Sequence, residues 1–140
     1  MKSLKDKLYY LKCLLFKRYN VLKIKTLPPT WMDEDYLLVH ANFAVLEYFM
    51  SGPGIKDINW ECDNEHRQLW KELNEIRDWW NHRSYRESLE SEANRQWYDH
   101  QETPKEKELL DKSRHLQSKH LQEEEDMLIR LIKIRHSLWT

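Results

Sequence analysis

The 140 residues, 40% hydrophobic and 34% charged, suit one domain that needs no disulfide or metal to bury a core. Two glycines, both in Ser51-Gly52-Pro53-Gly54, exclude the GxGxxG and GxxxxGK(S/T) phosphate loops and argue against turn-rich all-β folds. The net charge of −1 is unlike the strongly basic balance of a dedicated nucleic-acid binder.

That near-neutral total hides a split. Residues 1–27 hold eight basic residues and one acid, a net of +7, which leaves −8 for the rest. A basic arm of this kind meets something acidic: nucleic acid, anionic lipid, a partner protein or the acidic body of the same chain.

Leu4, Leu8, Leu11 and Leu15 recur at 4-3-4 spacing and predict an amphipathic helix over 3–19, with Lys5, Lys12 and Lys17 off the seam. Lys12 interrupts the apolar run and no small-residue cleavage site follows, so this segment does not read as a signal peptide. No run reaches the length of a membrane span. Leu22 and Ile24 alternate with Lys23 and Lys25, which predicts a short extended arm over 21–27. With no second stretch of that pattern to pair with, the arm waits for a partner edge.

After Pro28-Pro29, a helix is expected over 33–50. Leu37, Leu38, Ala41, Val45, Leu46, Phe49 and Met50 cover most of its surface, leaving a polar stripe through Asp33, His40 and Glu47. Such a helix belongs at the centre of a fold. Ser51-Gly52-Pro53-Gly54 stops it. Leu69, Leu73, Ile76 and Trp80 repeat the 4-3-4 step and predict a third helix, from 59 or 63 to about 83. Residues 81–103 are poor in apolar side chains and read as partial helix. Thr103-Pro104-Lys105-Glu106 combines a capping box with proline at the first helical position. A helix of about 35 residues is expected from there to Leu138.

The expected architecture is a mainly α, single helical domain over 1–140. A basic arm occupies 1–29, core helices and a polar connector 30–102, and a long C-terminal helix 103–140. Three stretches resemble small proteins encoded by tailed bacteriophages. They are Tyr19-Asn20-Val21-Leu22-Lys23-Ile24-Lys25-Thr26-Leu27-Pro28-Pro29-Thr30-Trp31, His40-Ala41-Asn42-Phe43, and the ending Leu128-Ile129-Arg130-Leu131-Ile132-Lys133-Ile134-Arg135-His136-Ser137-Leu138-Trp139-Thr140. The resemblance lends no activity and no functional residue. It implies a phage gene product in the host bacterial cytoplasm or the virion.

Chemistry-bearing constellations are few. Cys13 and Cys62 form no CxxC and read as reduced, buried thiols. Cys62 and His66, and His120 and Glu124, each stand four apart and offer two ligands. A third ligand, from His40 or His82, has no local reason to converge, so no metal or other cofactor is expected. Glu72-xx-Glu75 and Glu123-xx-Asp126 echo the carboxylate pairs that hold Mg²⁺ in all-α nucleotide pyrophosphatases, but Lys71 stands where a further Glu belongs. A Mg²⁺-dependent nucleotide hydrolase is thus the least favoured reading.

The favoured reading is a non-enzymatic interaction protein, with no catalytic residue and no small-molecule substrate, that binds itself or a protein partner. Lys17, Arg18, Lys23 and Lys25 are the expected acidic-partner contacts, and Trp31, Trp97 and Trp139 the expected interface anchors. Nucleic-acid binding through the same basic, aromatic arm is the runner-up. A basic amphipathic helix lying on anionic lipid is a further reading of that arm.

Overall fold

The computed structural model describes residues 4–16 and 24–139, with the side chain of residue 139 left out. The protein is mainly α-helical: α1 (Leu4–Phe16), α2 (Glu34–Met50), α3 (Asn64–Asn81), α4 (Arg83–Tyr98) and α5 (Glu106–Ile134), with 3-10 turns at Pro53–Lys56 and Arg135–Trp139. Among the described residues there is no strand. The chain divides into two compact units, Met1–Ile58 and Asn59–Thr140.

The first unit departs from its sequence pattern. In α1 the leucine seam lies open to solvent, and the buried residue is Cys13. The extended arm expected over 21–27 falls partly outside the described residues. Its second half is a turn instead, closed by the Leu27 N–H donating to the Ile24 carbonyl at 3.2 Å, with both side chains buried. Ile24 and Leu27, three residues apart, form the inner side of this turn.

Helix α2 starts as expected, with Asp33 in extended conformation at the cap and Glu34 and Asp35 in the first turn, where the helix dipole favours acids. Its orientation departs from the expected one in part: Leu46 and Met50 are buried as expected, but His40 is buried too and Leu38 and Val45 are not. His40, Phe43, Leu46 and Met50 form the buried stripe, while Leu38, Val45 and Tyr48 are exposed. His40 sits on the inner side because its ring finds partners there. Thr26 Oγ1 lies 2.7 Å from its Nδ1, and the Tyr36 ring is 4.5 Å away. A buried polar group that is hydrogen-bonded is no longer costly to bury. The helix ends where the glycines predict: Gly52 N–H donates to the Phe49 carbonyl at 3.1 Å, and a Cβ at position 52 would crowd that oxygen at 3.2 Å.

The second unit is a three-helix arrangement. Leu73, Ile76 and Trp80 of α3 are buried, as their spacing predicts, together with Ala93 of α4 and Leu131 of α5. The connector over 81–103, read as partial helix, is helical over Arg83–Tyr98 and ends in turns over 99–103. It separates from α3 at His82, which caps both helices and holds the Asp78 carbonyl with its Nδ1 at 2.7 Å. Arg86 stitches the two together, donating to the Trp79 carbonyl at 2.7 Å with its guanidinium 3.9 Å over the Trp79 ring.

Helices α4 and α5 pair antiparallel through polar rungs. Ser113 Oγ lies 2.5 Å from Asn94 Oδ1, Gln117 donates to the same oxygen at 3.2 Å, and His120 Nδ1 lies 2.5 Å from Glu90 Oε1. These rungs explain how the apolar-poor α4 packs on the polar middle of α5. The capping box expected at Thr103, with Pro104 at the first helical position, does not form: α5 begins at Glu106 behind Lys105, with no side-chain cap, and ends at Ile134, where the 3-10 turn takes over. The Glu106 carboxylate accepts from the Glu102 N–H at 2.9 Å, and Thr103 Oγ1 donates back to the His100 carbonyl at 2.6 Å. Glu102 carries a positive φ of 63° to make this turn.

Candidate functional site

Three features stand out: open apolar faces in the first unit, a charged clasp in the second, and a thiol–carboxylate–imidazole cluster at the start of α3. The apolar faces come first. Leu8 and Leu15 of α1 are 59% and 64% exposed, and Tyr48 of α2 is 84% exposed. Lys5, Lys7 and Lys12 surround the leucines of α1, all exposed, with Tyr9 and Tyr10 among them. In the second unit, Leu121, Ile129 and Ile132 of α5 are also exposed.

The expected contact residues fall unevenly. Lys17, Arg18 and Lys23 lie outside the described residues. Lys25 is exposed in the Ile24–Leu27 turn. Trp31 is 65% exposed, on a shallow hollow lined also by Met32, Asp33, Glu34 and Asp35. Trp97 is half-buried, and its indole N–H is shut away from solvent with no acceptor, which makes it a packing residue more than an open anchor. Trp139 ends the last 3-10 turn, and its side chain lies outside the described ones.

The carboxylates read as a half-pattern for Mg²⁺ close on a protein cation. Arg130 Nε donates to Glu72 Oε1 at 2.6 Å, and Nη2 to Glu72 Oε2 at 2.8 Å and Glu75 Oε2 at 2.6 Å. The guanidinium holds the Glu72 carboxyl below its ordinary range, and the Glu72 carboxylate in turn raises Arg130. With both side chains about 30% exposed, the clasp joins α3 to α5 at the edge of the core. A metal at this place has to displace a guanidinium that already satisfies the carboxylates.

The third feature grows from the capping of α3. Asp63, in extended conformation, accepts the His66 N–H on its Oδ1 at 2.8 Å, the ordinary service of an N-cap carboxylate. The His66 ring folds back over the same carboxylate, with Nδ1 2.9 Å from both oxygens. The backbone and ring hydrogen bonds from His66 hold the Asp63 carboxyl down at about 2, so it is ionised at neutral pH. An ionised carboxylate only accepts, so the proton lies on Nδ1.

Cys62 stands one residue before the cap, not on the helix, and its Sγ lies 3.6 Å from Asp63 Oδ2. Partial desolvation and the neighbouring carboxylate push its thiol up. The turn that presents it is fixed by the Cys62 N–H donating to the Asn59 carbonyl at 3.2 Å and by Arg67 reaching the Glu61 carbonyl at 3.2 Å. Trp60 covers one side, stacked on Trp70 at 4.8 Å with its ring 6.4 Å from that of His66.

The sequence reading found Cys62 and His66 but missed Asp63, which joins them because it caps the helix. The signal was an Asp directly before a helical pattern, with His at the third helical position. His40 and His82, which had no local reason to converge as a third ligand, are engaged by Thr26 and the Asp78 carbonyl. Both cysteines are free, but only Cys13 is buried; Cys62 is exposed, which corrects the expectation of two buried thiols.

Against protein-family models, curated proteins and solved structures, this chain finds no match. No helix among the described residues is long and apolar enough to cross a membrane.

Proposed function

We propose that the protein is a non-enzymatic interaction protein that assembles with itself or with a protein partner through the faces of α1 and α2. The observation that carries this reading is the leucine seam of α1: four leucines at core spacing, each about half or more exposed. Covering them removes apolar area from water at roughly 25 cal/mol per Å². The surrounding lysines select an acidic counterpart, and a second copy offers Asp33, Glu34 and Asp35 beside the exposed Trp31. In the context implied by the resemblance, it is a phage accessory or virion-associated protein, working in the host bacterial cytoplasm or the virion.

Site-specific photo-crosslinking from position 8, in purified protein and in expressing cells, tests this. A crosslinked second copy or partner protein is expected, lost when Leu4 and Leu15 become Glu. Absence of any protein crosslink in both settings contradicts the reading.

Nucleic-acid binding is the second reading, favoured by the exposed Tyr9 and Tyr10 among the lysines of α1. It predicts a gel shift that weakens steeply between about 50 and 200 mM salt. No shift at the lower salt removes it.

A further inference from the structure

We propose that Cys62, Asp63 and His66 form a binding site for a divalent transition-metal ion of the zinc type, with its fourth position open to solvent. The three side chains offer one ligand atom each, all within 4.8 Å of one another. A tetrahedral ion with ordinary zinc bond lengths sets its thiolate sulfur and carboxylate oxygen about 3.6 Å apart, and its imidazole nitrogen and carboxylate oxygen about 3.4 Å apart. The corresponding separations are 3.6 Å for Cys62 Sγ to Asp63 Oδ2 and 2.9 Å for His66 Nδ1 to either Asp63 oxygen. The ion therefore asks the Asp63–His66 pair to open by about 0.5 Å, at a ring that is partly exposed.

The donor set decides the class of ion. One thiolate and one imidazole select borderline and soft metals over Mg²⁺ or Ca²⁺, which prefer all-oxygen sites. On binding, Cys62 gives up its thiol proton to solvent, His66 carries its remaining proton on Nε2, and Asp63 is already ionised. The thiolate and carboxylate together balance the two charges of the ion.

The ligands come from a turn and a helix start whose backbone is already pinned. Asp63 keeps Oδ1 on the His66 N–H while Oδ2 faces Cys62. The Trp60 ring, stacked on Trp70, lies 6.4 Å from that of His66 and makes a built-in reporter.

The test is titration of Co²⁺ into the reduced full-length protein, followed by absorption and tryptophan fluorescence, with Zn²⁺ as competitor. One Co²⁺ per chain is expected, with a near-ultraviolet thiolate charge-transfer band, visible bands of tetrahedral strength and a fall in fluorescence, all reversed by Zn²⁺. The band is expected to vanish in Cys62→Ser, to survive in Cys13→Ser, and to be lost or strongly weakened in His66→Ala. Asp63→Asn, which retains a good N-cap, is expected to keep the helix and weaken binding. Absence of a thiolate band in the wild type, its persistence in Cys62→Ser, or full binding by His66→Ala overturns the proposal. Since Cys62 is exposed, Cys62→Ser is not expected to unfold the chain, and circular dichroism checks this.

Discussion

Arg130, near the end of α5, grips Glu72, in the middle of α3, through two parallel hydrogen bonds of 2.6 and 2.8 Å. The two residues lie 58 positions apart in the chain, so the clasp forms only when the second unit closes. Fork-to-fork pairs of this kind are the strong form of an ion pair.

Replacing Arg130 with Met is expected to lower stability by roughly 1–3 kcal/mol, because the partly buried Glu72 carboxylate loses its donor. Glu72→Gln is expected to cost less. The lowered pKa of Glu72 also fixes a pH dependence. A group depressed in the folded state stabilises above its unfolded value, about 4.3 for Glu, and that contribution is lost as pH falls through the folded value. Urea melts of wild type and Glu72→Gln are therefore expected to differ at neutral pH and to converge on acidification.

At the start of α3, Asp63→Ala is expected to raise the exchange rate of the His66 amide, whereas Asp63→Asn leaves it nearly unchanged. The Asp63 carboxyl is held at about 2 by its bonds to His66. Its capping contribution is thus complete above the unfolded value near 3.9 and disappears as pH falls through about 2. Hydrogen exchange followed by mass spectrometry across that range checks the window.

The two cysteines are expected to differ sharply toward an alkylating reagent. Cys13 is 3% exposed and Cys62 is open, so the native protein takes one adduct and the urea-unfolded protein two. Because the Cys62 thiol is pushed up, its rate is expected to keep rising above the pH at which an ordinary thiol levels off. Peptide mapping of the adduct decides which residue reacted.

Glu102 adopts a left-handed φ of 63° in the turn before α5. A non-glycine residue there costs about 1–2 kcal/mol. Glu102→Gly relieves this strain but loosens the unfolded chain, so a net gain of about 0.5–1 kcal/mol is expected in thermal melts. The hydrogen bond to Glu106 survives, since the backbone N–H makes it.

Where periodicity coincided with burial, the fold was legible in the sequence. Leu73, Ile76 and Trp80 show this, and so do the helix limits at Asp33, Asp63 and Gly52. It failed where polar side chains do the packing. His40 stood on the apparent polar stripe of α2, yet one threonine and one tyrosine ring make its burial favourable. Ser113, Asn94, Glu90 and His120 belong to no apolar periodicity, and they are the rungs between α4 and α5. Long-range polar partners leave no periodic trace, so neither these rungs nor the Arg130–Glu72 clasp was foreseen. The leucines of α1 failed in the opposite sense: core spacing without a core. For the cluster at α3, two of three side chains were legible by spacing, and the third was hidden in its role as a cap.

That open seam makes assembly the central claim, and sedimentation velocity over a concentration series tests it most directly. The wild-type chain is expected to sediment as a concentration-dependent oligomer. The Leu8→Glu, Leu15→Glu double variant, with its helical content unchanged, is expected to sediment as a monomer. A wild-type chain that stays monomeric at every concentration, or an oligomer indifferent to both substitutions, contradicts self-assembly through α1.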